Sequence, residues 1–184
     1  MPKTATKVKF KARLSRSADQ PKAGWTFLRL PVEASKKLPT RAMVSVEGTF
    51  EGTDFWTTLL PDGDGGHWMK VEKKLQDKVK AKPGDTVELE IAPMANEPEP
   101  EVPADLKKAI TTAGPKAQKT WDDITPKARR DWIFWIVSAK QAETRTKRTA
   151  VAIDKLGKGN RRPCCFDRSG MYDKSLSAPA AAED

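Results

Sequence analysis

The stretch Gly48–Val71, GTFEGTDFWTTLLPDGDGGHWMKV, constrains the fold more than any other part of this chain. It alternates apolar and polar residues on either side of two turn signals. Gly52-Thr53-Asp54 marks a tight turn, and Phe55–Leu60 is the return strand. Pro61 closes that strand because it has no N–H to donate to a ladder. Pro61-Asp62-Gly63-Asp64-Gly65-Gly66-His67 is the densest run of turn residues in the chain, and His67–Val71 leaves it as another short strand.

The flanks supply more strands. Val8, Phe10, Ala12 and Leu14 alternate with Lys7, Lys9, Lys11 and Arg13, the period-two pattern of a strand with one buried face. Gly24–Leu30 predicts a second strand, Met43–Glu51 a third, and Thr86–Ile91 the last. Val32–Leu38 predicts a helical turn and Glu72–Val79 a brief amphipathic helix carrying Leu75 and Val79. Six short strands suggest a small barrel, since closure leaves no long unpaired edge.

From Pro93 to Pro103 proline alternates with glutamate, which predicts an extended, self-repelling and exposed connector. Beyond it the period becomes helical. Leu106, Ala109, Ile110 and Ala113 share one face, and Gly114-Pro115 separates that helix from the next. Thr125-Pro126 is an N-cap and first-turn pair. The helix it opens carries Ala128, Trp132, Trp135, Ile136 and Ala139. A last helix spans about 142–156, with Gly157 as its C-cap and Ala150, Ile153 and Leu156 toward the core. Arg145, Arg148 and Lys155 fall on another face. The expected class is therefore α+β: a barrel at 1–93, a Pro/Glu linker at 94–103, a helical domain at 104–157 and an irregular basic tail at 158–184. Within that tail, Ser177–Asp184 is small and polar enough to predict disorder.

Charge narrows the function classes. The net charge is +9, with 34 Lys+Arg against 25 Asp+Glu. It divides as +5 over residues 1–95, −3 over 96–103 and +7 over 104–184. Such a surface attracts acidic proteins, peptides or polyanions, nucleic acid included, although no long Lys/Arg block is present. No apolar run approaches the ~20 residues of a membrane span. The start, MPKTATKVKFKARL, lacks the apolar core of a signal peptide, which predicts a cytoplasmic protein. The two cysteines are adjacent and cannot close a loop. Two cysteines and one histidine also argue against a Cys/His zinc site.

Both halves resemble a bacterial family. PADLKKAI, Trp121 and the run TPKARRDWIFWIVSAKQAETRTKRTAVAIDKLGKG are similar to the YdeI/OmpD-associated, or bacteriocin-protection, proteins. LPVEASKKL, VEGTFEGTDFWTTLLPDGDGGHWMKV and GDTVELEI resemble the domain of unknown function often fused in front of it. Together the two cover about residues 7–157. The resemblance implies a double-split β-barrel, related in shape to AbrB-type regulators, and a role in resistance to antimicrobial peptides or envelope stress. It brings no established catalytic residues and no cofactor.

Four groups of residues are candidates for chemistry. The first is the loop Asp62, Gly63, Asp64, Gly65, Gly66 and His67. Successive glycines can form an anion nest, and the two aspartates can hold a hard cation, but Lys73 stands where a calcium loop needs Glu. The ordinary alternative is a tight hairpin loop. As the single histidine, His67 would have to serve any His-dependent site. The second group is Arg130, Arg145 and Arg148, an anionic-partner site between the last two helices unless Asp122, Asp123, Asp131 and Glu143 neutralise them. The third is Cys164 and Cys165, candidate reactive thiols beside Arg161 and Arg162. The fourth is the six tryptophans, which read as core residues; an exposed one would favour binding of single-stranded nucleic acid. Three functions follow: a non-enzymatic binding module in stress or peptide resistance, a nucleic-acid-binding regulator, and a thiol- or His67-dependent enzyme.

Overall fold

A computed structural model describes residues 5–163 and 176–183. The chain forms two units, one built from the residues up to Ala95 with the C-terminal residues 176–183, the other beginning at Asn96.

The first unit is a nearly closed, six-stranded antiparallel barrel. Its strands are β1 (Val8–Arg13), β2 (Thr26–Arg29), β3 (Val44–Phe50), β4 (Thr53–Pro61), β5 (His67–Val71) and β6 (Thr86–Pro93). They are ordered β1-β6-β3-β4-β5-β2. Ser15 and Phe27 exchange both backbone hydrogen bonds, at 2.8 and 2.9 Å, and link the two outer strands. The inward set of each strand, such as Val8, Phe10, Ala12 and Leu14, joins one core with Phe50, Leu59, Met69 and Leu89. Two short helices, α1 (Val32–Ser35) and α2 (Lys73–Val79), belong to the same unit. The side-chain amide of Gln76 on α2 is buried and donates to the carbonyls of Val71 and Gly24, at 2.9 and 3.2 Å.

The first turn differs from the expected Gly52-Thr53-Asp54. Phe50 pairs directly with Thr53, so Glu51 and Gly52 alone make the turn, with φ of 47° and 75°. Two left-handed residues match the twist of the flanking strands, and β4 begins at Thr53, two residues before the expected Phe55. At Gly48 the strands nearly touch: a Cβ there would lie 1.9 Å from the carbonyl oxygen of Glu90 on β6.

The C-terminal residues are ordered against the barrel, contrary to expectation. Ala18 N–H donates to the Ala180 carbonyl at 2.8 Å and Ala182 N–H to that of Arg16 at 2.9 Å. The indole of Trp68 donates to the Leu176 carbonyl at 2.7 Å, and Leu176 itself is buried. A low-hydropathy segment can dock through its backbone, which composition does not record.

The second unit has four helices: α3 (Ala104–Ala113), α4 (Pro115–Asp123), α5 (Pro126–Val137) and α6 (Ala142–Gly157). The Thr125 hydroxyl caps α5 by accepting from Ala128 N–H at 3.2 Å. The core joins Leu106, Ile110, Trp121, Ile124, Trp132, Ile136, Ala152 and Leu156. Trp132 and Trp135 meet edge to face at 6.0 Å. At the end of α6, Gly159 takes the left-handed conformation with φ 83°, and Gly157 is the last helical residue. Gly159 N–H donates to Leu156 and Asn160 N–H to Lys155, a Schellman closure in which Lys158 is the cap and Gly159, two residues beyond the expected glycine, is the left-handed residue after it. Of the three residues of α6 expected to face the core, Ile153 and Leu156 pack there, whereas Ala150 is exposed and Ala152 takes its place.

The Pro/Glu segment contains no regular structure, yet it is not a free connector. Glu97 and Glu99 both pair with arginines of α5, so opposite charge on the helices outweighs the self-repulsion inferred from the segment alone.

Candidate functional site

The glycine-rich loop is satisfied from within. The Asp62 carboxylate accepts from the N–H groups of Asp64 and Gly66 at 2.8 and 2.9 Å, and Asp62 N–H donates to the Gly66 carbonyl. An anion nest needs those N–H groups for its ligand, whereas here the chain's own carboxylate takes two of them. Gly63 and Gly65 have φ of 89° and 88°, which suits the tight path. Asp64 pairs with Arg29 at 3.3 Å. Beside the loop lies a groove of about 610 Å³ lined by Arg29, Lys36, Arg41, Asp62 and Asp64 among others, so its wall carries both cations and carboxylates. Among the described residues no three His, Cys, Asp or Glu side chains gather as a metal would require.

His67 is completely buried. Its backbone N–H donates to the Ser35 hydroxyl at 3.1 Å, and its Nε2 lies 3.0 Å from the Ala42 carbonyl. A carbonyl only accepts, so Nε2 carries the proton and Nδ1 holds a buried lone pair with no hydrogen-bond partner. Burial pushes the imidazole pKa down, against the opposing effect of the Ala42 bond. His67 is therefore a neutral side chain anchoring the start of β5.

The three arginines lie against internal partners. Arg130 is 4% exposed and forms an ion pair of 2.8 Å with Glu97 and another of 3.4 Å with Asp131. Arg145 grips Asp105 with two bonds of 3.0 Å, and this hydrogen bonding lowers the Asp105 pKa. Arg148 donates to the Trp135 carbonyl at 2.7 Å and to the Ser138 hydroxyl at 3.2 Å, near the end of α5. Its guanidinium lies 5.6 Å from the Trp135 ring centre. The Arg129 guanidinium holds Glu99 and the carbonyls of Trp121 and Asp122. Arg161 holds Asp123, whose pKa it lowers by hydrogen bonding. Of the counter-ions expected, only Asp131 serves Arg130; Glu143 pairs with Lys147 instead. Cys164 and Cys165 lie outside the described residues.

The sequence reading missed Trp56. It is 56% exposed, whereas Trp68, Trp121, Trp132 and Trp135 are buried and Trp25 is capped by the Lys70 ammonium 5.0 Å away. The signal was present, because Phe55 and Trp56 are consecutive on a strand and cannot both face inward. Phe55 packs on the core and meets Phe50 edge to face, which turns Trp56 outward. Beside Trp56 a groove of about 400 Å³ is lined by Phe55, Met69, Leu75, Lys70, Lys74 and Lys78, together with Thr57 and Glu72.

Residues 10–91 match the model of a domain of unknown function (DUF1905). Residues 99–159 match the model described as bacteriocin-protection, YdeI or OmpD-associated. No curated protein matches this chain. Among the described residues no helix is long and apolar enough to cross a membrane.

Proposed function

We propose that this chain, whose residues 99–159 match the bacteriocin-protection, YdeI or OmpD-associated model behind a domain of unknown function, is a cytoplasmic, non-enzymatic binding module in bacteriocin or stress resistance. The match of the helical half to the bacteriocin-protection model is the observation that carries this reading. The site geometry is compatible with it. His67 is sealed in the barrel, and the Asp62–Gly66 loop binds its own carboxylate, so neither offers a substrate a reactive group. Expression in a sensitive bacterial strain tests the reading. The bacteriocin concentration that kills half the cells should rise over that of an empty-vector control. Identical killing curves would overturn it.

A second reading, a nucleic-acid-binding regulator, is favoured by the exposed Trp56 and the net charge of +9. Affinity for random duplex and single-stranded DNA across a salt series checks it, because phosphate contacts give a steep slope. A flat, weak response would remove it.

A further inference from the structure

Trp56 is exposed and takes no part in the barrel core, and among the described residues it stands beside an apolar groove rimmed by lysines. We infer that the groove between β4, β5 and α2 is a docking site for an acidic, amphipathic peptide segment of a partner protein. The floor is apolar, formed by Met69 and by the half-buried Phe55 and Leu75. Its volume of about 400 Å³ accommodates two or three apolar side chains. Trp56 stands beside this floor, 56% exposed, in the position of an aromatic anchor that gains most from being covered.

Charge selects the partner. Lys70 and Lys73 are neutralised locally by Glu72 and Asp77, at 3.1 and 3.0 Å. Lys74 and Lys78 line the groove and form no ion pair among the described residues. Four residues apart on α2, they lie about 6 Å from one another along the axis. That spacing meets carboxylates four apart on a helical peptide, or two apart on an extended one. The complementary segment therefore pairs an apolar side chain in the groove with two carboxylates above the lysines. Single-stranded nucleic acid fits less well. Strand tracking needs successive exposed aromatics, and the site offers one, with Glu72 on the rim and Glu47 cross-strand from Trp56.

The test uses the full chain and fluorescein-labelled peptides of about 12 residues, long enough to span such a groove. One peptide alternates Glu and Leu, a second replaces Leu by Ser, a third replaces Glu by Lys, and an oligothymidylate of similar length competes. The Glu/Leu peptide should bind, and the other two peptides should bind at least about tenfold more weakly. Trp56→Ala should weaken the Glu/Leu peptide by about tenfold or more, since a central aromatic dominates such sites. Lys74→Gln with Lys78→Gln should weaken it less and flatten its salt dependence. Both variants change exposed side chains, so unchanged thermal unfolding should accompany the loss. Equal binding by wild type and Trp56→Ala would overturn the docking site. Tighter, Trp56-dependent binding of the oligothymidylate would overturn it in favour of nucleic acid. Survival under bacteriocin is a separate readout: a chain that protects cells but fails the peptide test refutes this groove alone.

Discussion

Replacing Glu97 by Ala should destabilise the helical unit by about 2–3 kcal/mol, while the same change at Glu99 should cost less than about 1 kcal/mol. Both residues belong to the Pro/Glu segment, both pair with consecutive arginines of α5, and both pairs are short, at 2.8 and 2.7 Å. They differ in burial. Arg130 is 4% exposed and the Glu97 side chain 18%, against 15% for Arg129 and 56% for Glu99. Removing one partner of a buried ion pair typically costs 3–5 kcal/mol, because the remaining charge loses its compensation without regaining water. The expected figure is about 2–3 because Asp131 still faces Arg130, at the longer distance of 3.4 Å, and because Glu97 retains some contact with solvent. Arg129 keeps the carbonyls of Trp121 and Asp122 when Glu99 is lost, and the exposed carboxylate is screened by water and salt. Urea unfolding of the full chain, followed by helical circular dichroism, reads the difference. At a slope of about 1–2 kcal/mol per molar, the Glu97 variant should shift the midpoint by roughly 1–3 M and the Glu99 variant by less than about 1 M. Added salt should narrow the Glu99 effect and leave the Glu97 effect nearly unchanged. Equal shifts for the two variants would refute the claim that burial, not contact, decides the strength of this latch.

Three further outcomes are expected. Gly48→Ala should destabilise the barrel by several kcal/mol, as overpacking against backbone does, because its Cβ would meet the Glu90 carbonyl at 1.9 Å; a melting temperature matching wild type would contradict that approach. His67 has its pKa lowered by burial, so the unfolded chain binds its proton first. Stability should be full above about pH 6.5 and fall as pH drops from there through the lower folded value; a His67→Gln variant that keeps the same acid slope between pH 7.5 and the folded value would show that another group is responsible. Truncation before Leu176 should cost the barrel about 2–4 kcal/mol, from the lost burial of Leu176 and the orphaned Trp68 N–H, read as an earlier urea transition; an unchanged transition would mean the segment contributes nothing to stability.

The barrel was legible because its signals are local. The period-two runs at Val8–Leu14 and Thr86–Ile91 name their own buried faces and pair in the structure from Val8↔Ile91 to Arg13↔Thr86. Helix starts at Pro115 and Pro126 were legible for the same reason. What failed depends on partners distant in sequence. The roles of Glu97 and Glu99 are set by arginines about thirty residues away, and no property of the Pro/Glu run announces them. On α6 Ile153 and Leu156 were read correctly and Ala150 was not, because a small apolar residue says little about its face, while the partners of Arg145 and Arg148, Asp105 and the Trp135 carbonyl, lie on other helices. The C-terminal residues were judged by hydropathy, while their docking rests on backbone hydrogen bonds to Arg16 and Ala18. Trp56 was legible from strand alternation once Phe55 was assigned to the core, and grouping it with the other tryptophans by residue type concealed it.

The claim that this protein acts by binding and not by chemistry is tested most directly in the bacteriocin survival assay, with variants that remove the groups a thiol- or histidine-dependent enzyme would need. Cys164→Ser with Cys165→Ser, and separately His67→Gln, should be expressed at wild-type levels, with folding verified by circular dichroism. The account predicts that both folded variants raise the half-killing concentration as much as the unaltered chain. Loss of protection in either variant, with its fold intact, would contradict it.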